Sequence, residues 1–244
     1  MLNEQEGIIH VFGTCWNGAT LLKGPVQQEN AEEALCSLQE TASILGIPSD
    51  GIILGTQVHG DDILVVEGIL PTLKSGDQPV CDGLVTDRPQ VPLAVRTADC
   101  APLIIFDPCR RVIGIIHAGW KGTALDIAGK AAGIFTKRFS SDPSALVAVI
   151  GPTIGSCCYE VGSEVFSAME PYPWRDQVFS PEQPDGKRYF DIGAALQHQL
   201  LDCDFSRDNI TALALCTACR DDLFYSWRRQ KALASRQISA VMLL

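Results

Sequence analysis

Three residues carry the donor chemistry of a catalytic metal site: His59, Cys100 and His117. His59 stands in a polar turn, Thr56-Gln57-Val58-His59-Gly60, and Cys100 closes another, Thr97-Ala98-Asp99-Cys100. His117 ends the apolar run 112–116 and precedes Ala118-Gly119-Trp120-Lys121-Gly122. Both histidines thus fall at loop edges, where functional groups concentrate. Two imidazoles and one thiolate are borderline-to-soft ligands. Three protein ligands leave a fourth position open, which is the arrangement of a catalytic rather than a structural zinc. With a single thiolate the zinc keeps a net positive charge and can bind and ionise a water. Without a metal, Cys100 and His117 read instead as a nucleophile and its base.

Around these lie residues with a second tier of chemistry. Asp82 (in CDGLVTD) and Asp99 (in TADC) precede strand-like runs and could shuttle protons, or serve only as turn or capping groups. Lys121, Arg228 and Arg229 are the cations nearest to motif-like sequence, and Lys121 and Arg228 are candidates for holding phosphate. Cys216-Thr217-Ala218-Cys219 is a CxxC with no second CxxC after it. A redox pair, a partial metal site and a turn with two buried thiols all fit it, and the last is favoured, because a free cysteine packs as a small hydrophobe. Cys157-Cys158 read as packed near a loop.

The elements that position these groups follow from the apolar patterning. Runs 102–106 and 112–116, joined by the turn Asp107-Pro108-Cys109-Arg110, predict an antiparallel hairpin that brings Cys100 and His117 to one sheet edge. Strands are expected at 7–13, 52–54, 63–67, 83–86, 93–95, 146–150, 210–215 and 238–244. Helices are expected at 27–45, 123–139, 161–169 and 190–201, and exposed loops at 71–81 and 171–188. This order is not strict βαβ alternation. It predicts an α/β fold, a three-layer α/β/α sandwich with a mixed sheet, as a single domain over residues 1–244.

Composition limits the partners. The chain of 244 residues is 46% hydrophobic and carries 29 acidic against 19 basic residues, for a formal net charge of −10. Such a balance opposes general binding to nucleic acid or anionic membranes. No apolar stretch reaches the length of a membrane span. The acidic start, MLNEQEG, does not read as a signal peptide, so the ten cysteines are expected to be reduced in a cytoplasmic protein.

The segments TQVHGDD, CDGLVTD, RTADCAPLIIFDP, IIHAGWKGT, IGPTIGSCCYEVG, CTACRDDLFYSWRR and SRQISAVML come in this order. Together, over about residues 50–244, they resemble the YfiH family, also called the laccase-domain or multicopper polyphenol oxidoreductase family. The resemblance implies a His-Cys-His metal triad at His59, Cys100 and His117, and a three-layer sandwich with mixed sheet. It also implies phosphorolysis of adenosine, inosine and methylthioadenosine, with adenosine deamination as a second activity. Members usually carry an Arg and a Gly-Gly turn after the first strand, whereas this chain reads GTCWNGATLLKGPV there.

Four functions compete. The leading expectation is a zinc-dependent purine nucleoside enzyme using phosphate or water as co-substrate. The second is a Cys-His hydrolase of an amide or ester, such as a peptidoglycan precursor. The third is a copper-dependent polyphenol oxidase, disfavoured by a total of four histidines. The fourth is a non-catalytic zinc-binding protein, which the open coordination position argues against.

Overall fold

The computed structural model describes residues 7–15, 38–67 and 78–244. The chain opens with β1 (Ile8–Phe12), α1 (Leu38–Leu45), β2 (Ile53–Leu54), β3 (Ile63–Val65), β4 (Gly83–Thr86) and β5 (Leu93–Thr97). The central hairpin is β6 (Ala101–Asp107) and β7 (Val112–Ala118), followed by α2 (Trp120–Ala124), α3 (Ile127–Phe139) and β8 (Val147–Ile150). Then come β9 (Glu160–Val161), α4 (Ser163–Ala168), β10 (Arg188–Tyr189), α5 (Ile192–Asp202), β11 (Ile210–Ala212), α6 (Trp227–Gln230) and β12 (Gln237–Leu243).

The architecture is mixed α/β, and its β layer is double. A six-stranded sheet runs β11-β8-β6-β7-β4-β3 and a four-stranded sheet runs β1-β12-β5-β2. Both are mixed: β11–β8, β3–β4 and β2–β5 pair parallel, and the other neighbours pair antiparallel. The two sheets share one core. Leu93, Val95, Val241 and Leu243 of the smaller sheet pack with Ile104, Phe106, Ile113 and Ile115 of the larger. The alternate residues Leu103, Ile105, Val112 and Ile116 face the other way, onto α3 and α5. Every residue of β6 and β7 is therefore buried. This is why the hairpin strands read as continuous apolar runs rather than as alternating ones. On the outer face of the smaller sheet, Leu45 of α1 packs with Val11, Ala94 and Met242.

Three expectations are corrected. The helix predicted over 123–139 is two helices, broken at Asp126 in the left-handed region (φ 62°). The tail of α2 does not need to continue, because other side chains take up the carbonyls that the break frees. Tyr172 donates to Ala124 O at 3.1 Å, and Gln199 donates to Thr123 O at 2.6 Å. The loop 171–188 is not wholly exposed: Trp174, Val178 and Phe179 are buried, and Phe179 stacks on Phe190 at 4.7 Å. Helix α4 begins only at Ser163, because Glu160 and Val161 pair as a strand with β10. Of the helix expected at 27–45, only α1 lies within the described residues, and most of the loop 71–81 lies outside them.

Small residues let α3 lie close on the sheet. Ala128, Ala131 and Ala132 are buried, and Phe135 sits over Gly114, where a Cβ would come 3.1 Å from its ring. Phe135→Ala should therefore destabilise the protein by about 3–5 kcal/mol, the usual cost of emptying a fully buried aromatic site. Urea unfolding followed by circular dichroism checks this, with a lowered midpoint and an unchanged slope expected.

Candidate metal centre and its cavity

One edge of the six-stranded sheet collects the chemistry. The register pairs Pro102 with His117 and Ala101 with Ala118, so Cys100 lies beside the end of β7. Gly83 pairs with Ile116 and also with Ile63, which brings Asp82 and the 57–62 turn to the same edge. Leu103 pairs with Ile150, so the loop after β8 arrives there too. Donor atoms of His59, Cys100 and His117 all lie within 4.8 Å of one another. The two imidazole rings meet edge-to-face with centroids 4.9 Å apart.

A fully buried carboxylate organises this triad. Asp82 accepts hydrogen bonds from the amides of Val58 (3.2 Å), His59 (3.0 Å) and Gly60 (2.7 Å), and so pins the turn that carries His59 in the left-handed region (φ 60°). Its Oδ1 also accepts from His117 Nδ1 at 2.8 Å. An ionised carboxylate only accepts, so Nδ1 carries the proton and Nε2 is the ring nitrogen left for a metal. Gly119 keeps the space clear: a Cβ there would stand 3.1 Å from both the Cys100 sulfur and the His59 ring. The donor set, the oriented tautomer and this clearance fit a bound divalent metal.

The electrostatics agree with that reading. Burial pushes the Cys100 thiol up, but hydrogen bonds from His117 and His59 outweigh it and bring its pKa down to about 7. Burial pushes His117 down, but its bonds to Asp82 and Cys100 raise it to about 9. Burial also works against the Asp82 carboxylate, yet His117 and the Gly60 amide hold it below the ordinary carboxylate value.

Above the triad opens a cavity of about 780 Å³. Its walls carry three arginines, Arg96, Arg228 and Arg236, and three aromatics, Trp120, Tyr159 and Trp227. Arg228 is held in place by donating to Glu160 O at 2.8 Å, with its guanidinium 5.4 Å from the Tyr159 ring centroid. Lys121 is not on this wall. It is exposed on α2, with its ammonium 5.7 Å from the Trp120 ring centroid. Asp99 borders the cavity, but protein donors occupy both its oxygens: Thr217 Oγ1 at 2.6 Å, Ser226 Oγ at 3.1 Å and the Arg228 amide at 2.6 Å. Arg229 is exposed, and its guanidinium donates to the Ala218 and Phe224 carbonyls. Sequence reasoning did not single out Arg96, Arg236, Tyr159 or Trp227. The one available signal was Arg96, a charge inside the otherwise apolar strand LAVRT.

The expectation of two buried thiols in the CxxC is overturned. Cys219 is exposed and Cys216 is half-buried, and both join Cys157 and Cys158 in one cluster. The reason is topological: β8 and β11 are parallel neighbours, so the loops that leave their C-terminal ends emerge side by side. All nine described cysteines are free thiols.

These features define a mixed α/β protein whose sheet edge carries a two-histidine, one-cysteine site under a polar-aromatic cavity. The chain belongs to the family described as multi-copper polyphenol oxidoreductase laccase, whose model matches residues 22–244. It is 31% identical over 236 residues to purine nucleoside phosphorylase YlmD of Geobacillus stearothermophilus, covering 91% of this chain and 83% of that relative. It is 29% identical to adenosine deaminase RL5 of an unknown prokaryotic organism, over 76% of this chain and 72% of the relative. The crystal structure of YlmD from Geobacillus stearothermophilus superposes with a TM-score of 0.82 at 28% identity, covering 98% of this chain and 93% of that one. Among the described residues no helix is long and apolar enough to cross a membrane.

Two outcomes follow from the buried carboxylate. Asp82→Asn keeps the shape but loses the charge behind His117, and metal affinity should fall about 10- to 100-fold, as for other lost ligand partners. Competition with a chromogenic chelator measures it. In the metal-free protein a metal must displace protons from Cys100 below about pH 7 and from His117 up to about pH 9. Affinity should therefore rise steeply below pH 7, less steeply between 7 and 9, and level off above 9; an affinity that falls with rising pH over this range would contradict the assignment.

Proposed function

We propose that this protein is a zinc-dependent enzyme acting on purine nucleosides, cleaving them with phosphate and deaminating adenosine. The observation that carries this reading is the triad at the base of a cavity whose walls combine arginines with aromatic rings. The named relatives, a purine nucleoside phosphorylase and an adenosine deaminase, support the purine class.

His59, Cys100 and His117 would hold the metal, which when bound supplies Lewis acidity and an activated water. Asp82 fixes the His117 tautomer and carries no substrate contact, being fully buried. Tyr159 and Trp227 offer faces for a planar base. Arg228, locked by its bonds to the 158–160 backbone, offers a preorganised cation for phosphate, and Arg96 stands on the same cavity wall. In phosphorolysis a phosphate oxygen bonds to C1′ as the bond to the purine nitrogen breaks. In deamination water adds at C6 and ammonia leaves. Zinc is favoured over copper because the other two histidines are elsewhere: His10 is buried in β1, and His198 stacks on Trp174 at 5.1 Å. Among the described residues no candidate cluster holds more than two histidines.

A second reading rests on the thiol that His117 and His59 draw down to about 7: Cys100 as the nucleophile of a hydrolase, with His117 as its base. One experiment separates the two. Zinc-loaded protein incubated with adenosine should yield adenine and ribose 1-phosphate when phosphate is present, and inosine without it. Chelation or His117→Ala should abolish both, and Cys100 should resist alkylation while the metal is bound. Should chromatography find no purine product while Cys100 is alkylated rapidly, the nucleoside reading fails and the hydrolase stands.

A further inference from the structure

We propose that Cys157, Cys158, Cys216 and Cys219 form a second metal site, separate from the His-Cys-His triad, which binds one Zn²⁺ through four thiolates. The four sulfurs lie within 4.8 Å of one another. Cys219 Sγ is 3.4 Å from Cys157 Sγ and 3.3 Å from Cys158 Sγ. Zinc–thiolate bonds of about 2.3 Å set the edge of a regular tetrahedron at about 3.8 Å, so a small adjustment would admit the ion. Disulfide chemistry accounts for the cluster less well. Cys219 is nearly equidistant from two partners, and any single disulfide would strand two thiols beside it.

The surroundings are those of a metal-binding turn. The Gly155 amide donates to Cys216 Sγ at 3.3 Å. The amides of Ala218 and Cys219, inside the same CxxC, also turn toward that sulfur. Such N–H···S bonds stabilise a thiolate ligand and orient it. Arg229 donates to the carbonyls of Thr217 and Ala218. This sets a guanidinium beside a site that four thiolates and Zn²⁺ would leave negative. Binding exchanges thiol protons for the metal, with no change in oxidation state. Closed by four protein ligands, the site is structural in kind.

Its position gives it a task. It would staple the loop after β8, which supplies Ile154 and Tyr159 to the cavity wall, to the turn after β11, whose Thr217 hydroxyl holds Asp99. The covalent path between these loops is long, whereas the four sulfurs span one ion.

The protein should be purified without chelator and under reducing conditions, and its zinc measured by elemental analysis. The expected content is two ions per chain, falling to one in Cys219→Ser and also to one in His117→Ala, each losing a different ion. The His117→Ala protein reconstituted with Co²⁺ should show the intense sulfur-to-cobalt charge-transfer and visible bands of a tetrahedral tetrathiolate. If Cys219→Ser does not fold, that spectrum, read on a protein with all four thiols intact, decides the matter alone. One zinc per chain that vanishes completely in His117→Ala would overturn the proposal. So would a Cys157–Cys219 or Cys158–Cys219 disulfide found by alkylation and mass spectrometry of anaerobically prepared protein, or the spectrum of an iron–sulfur cluster.

Discussion

The site depends on one buried carboxylate. Asp82 has no exposed surface, and an isolated charge there would be costly. Three backbone amides and one imidazole N–H compensate it, and they come from two different parts of the chain. The same set of bonds that makes the charge tolerable therefore brings the His59 turn and the end of β7 together. Neither histidine is held in place by its own element alone. His59 sits in a left-handed turn whose amides donate to a carboxylate outside it, and His117 is the penultimate residue of a strand.

Asp99 plays the matching part on the other side. Like His59 it has positive φ, and its carboxylate ties Thr217, Ser226 and Arg228 while its carbonyl accepts from Thr153 and Ile154. Two acidic residues flank the triad, and each is saturated by protein donors. Both carboxylates are engaged within the protein, whereas the arginine and aromatic groups border the cavity. Catalytic geometry needs such prepaid order, because misplacement by an ångström is expensive.

The double sheet explains how so many loops reach one edge. Antiparallel pairing of β6 with β7 and β8, and of β7 with β4, places the starts of some strands beside the ends of others. Parallel pairing of β3 with β4 and of β8 with β11 then adds two further loops at that edge. A mixed sheet does this more readily than a purely parallel one, in which all the strand starts lie at the opposite edge from the ends. The second sheet covers the other face of the hairpin and buries it.

The local sequence by itself determined the central hairpin, because two apolar runs of strand length around a turn have few alternatives. It also determined the donor types: two imidazoles at loop edges and a thiol beside a strand start are legible without coordinates. The helix limits were less legible. The break at Asp126 depends on Tyr172 and Gln199 accepting the role of capping donors from far along the chain. Tertiary structure alone decided that Phe179 is core rather than loop, that Arg96 and Tyr159 face the cavity while Lys121 does not, and that Asp82 stands behind His117. It alone assembled the four cysteines. Adjacent thiols and a CxxC carry no signal of each other in sequence, because their meeting follows from the parallel pairing of β8 with β11, and strand order is a non-local property of the fold.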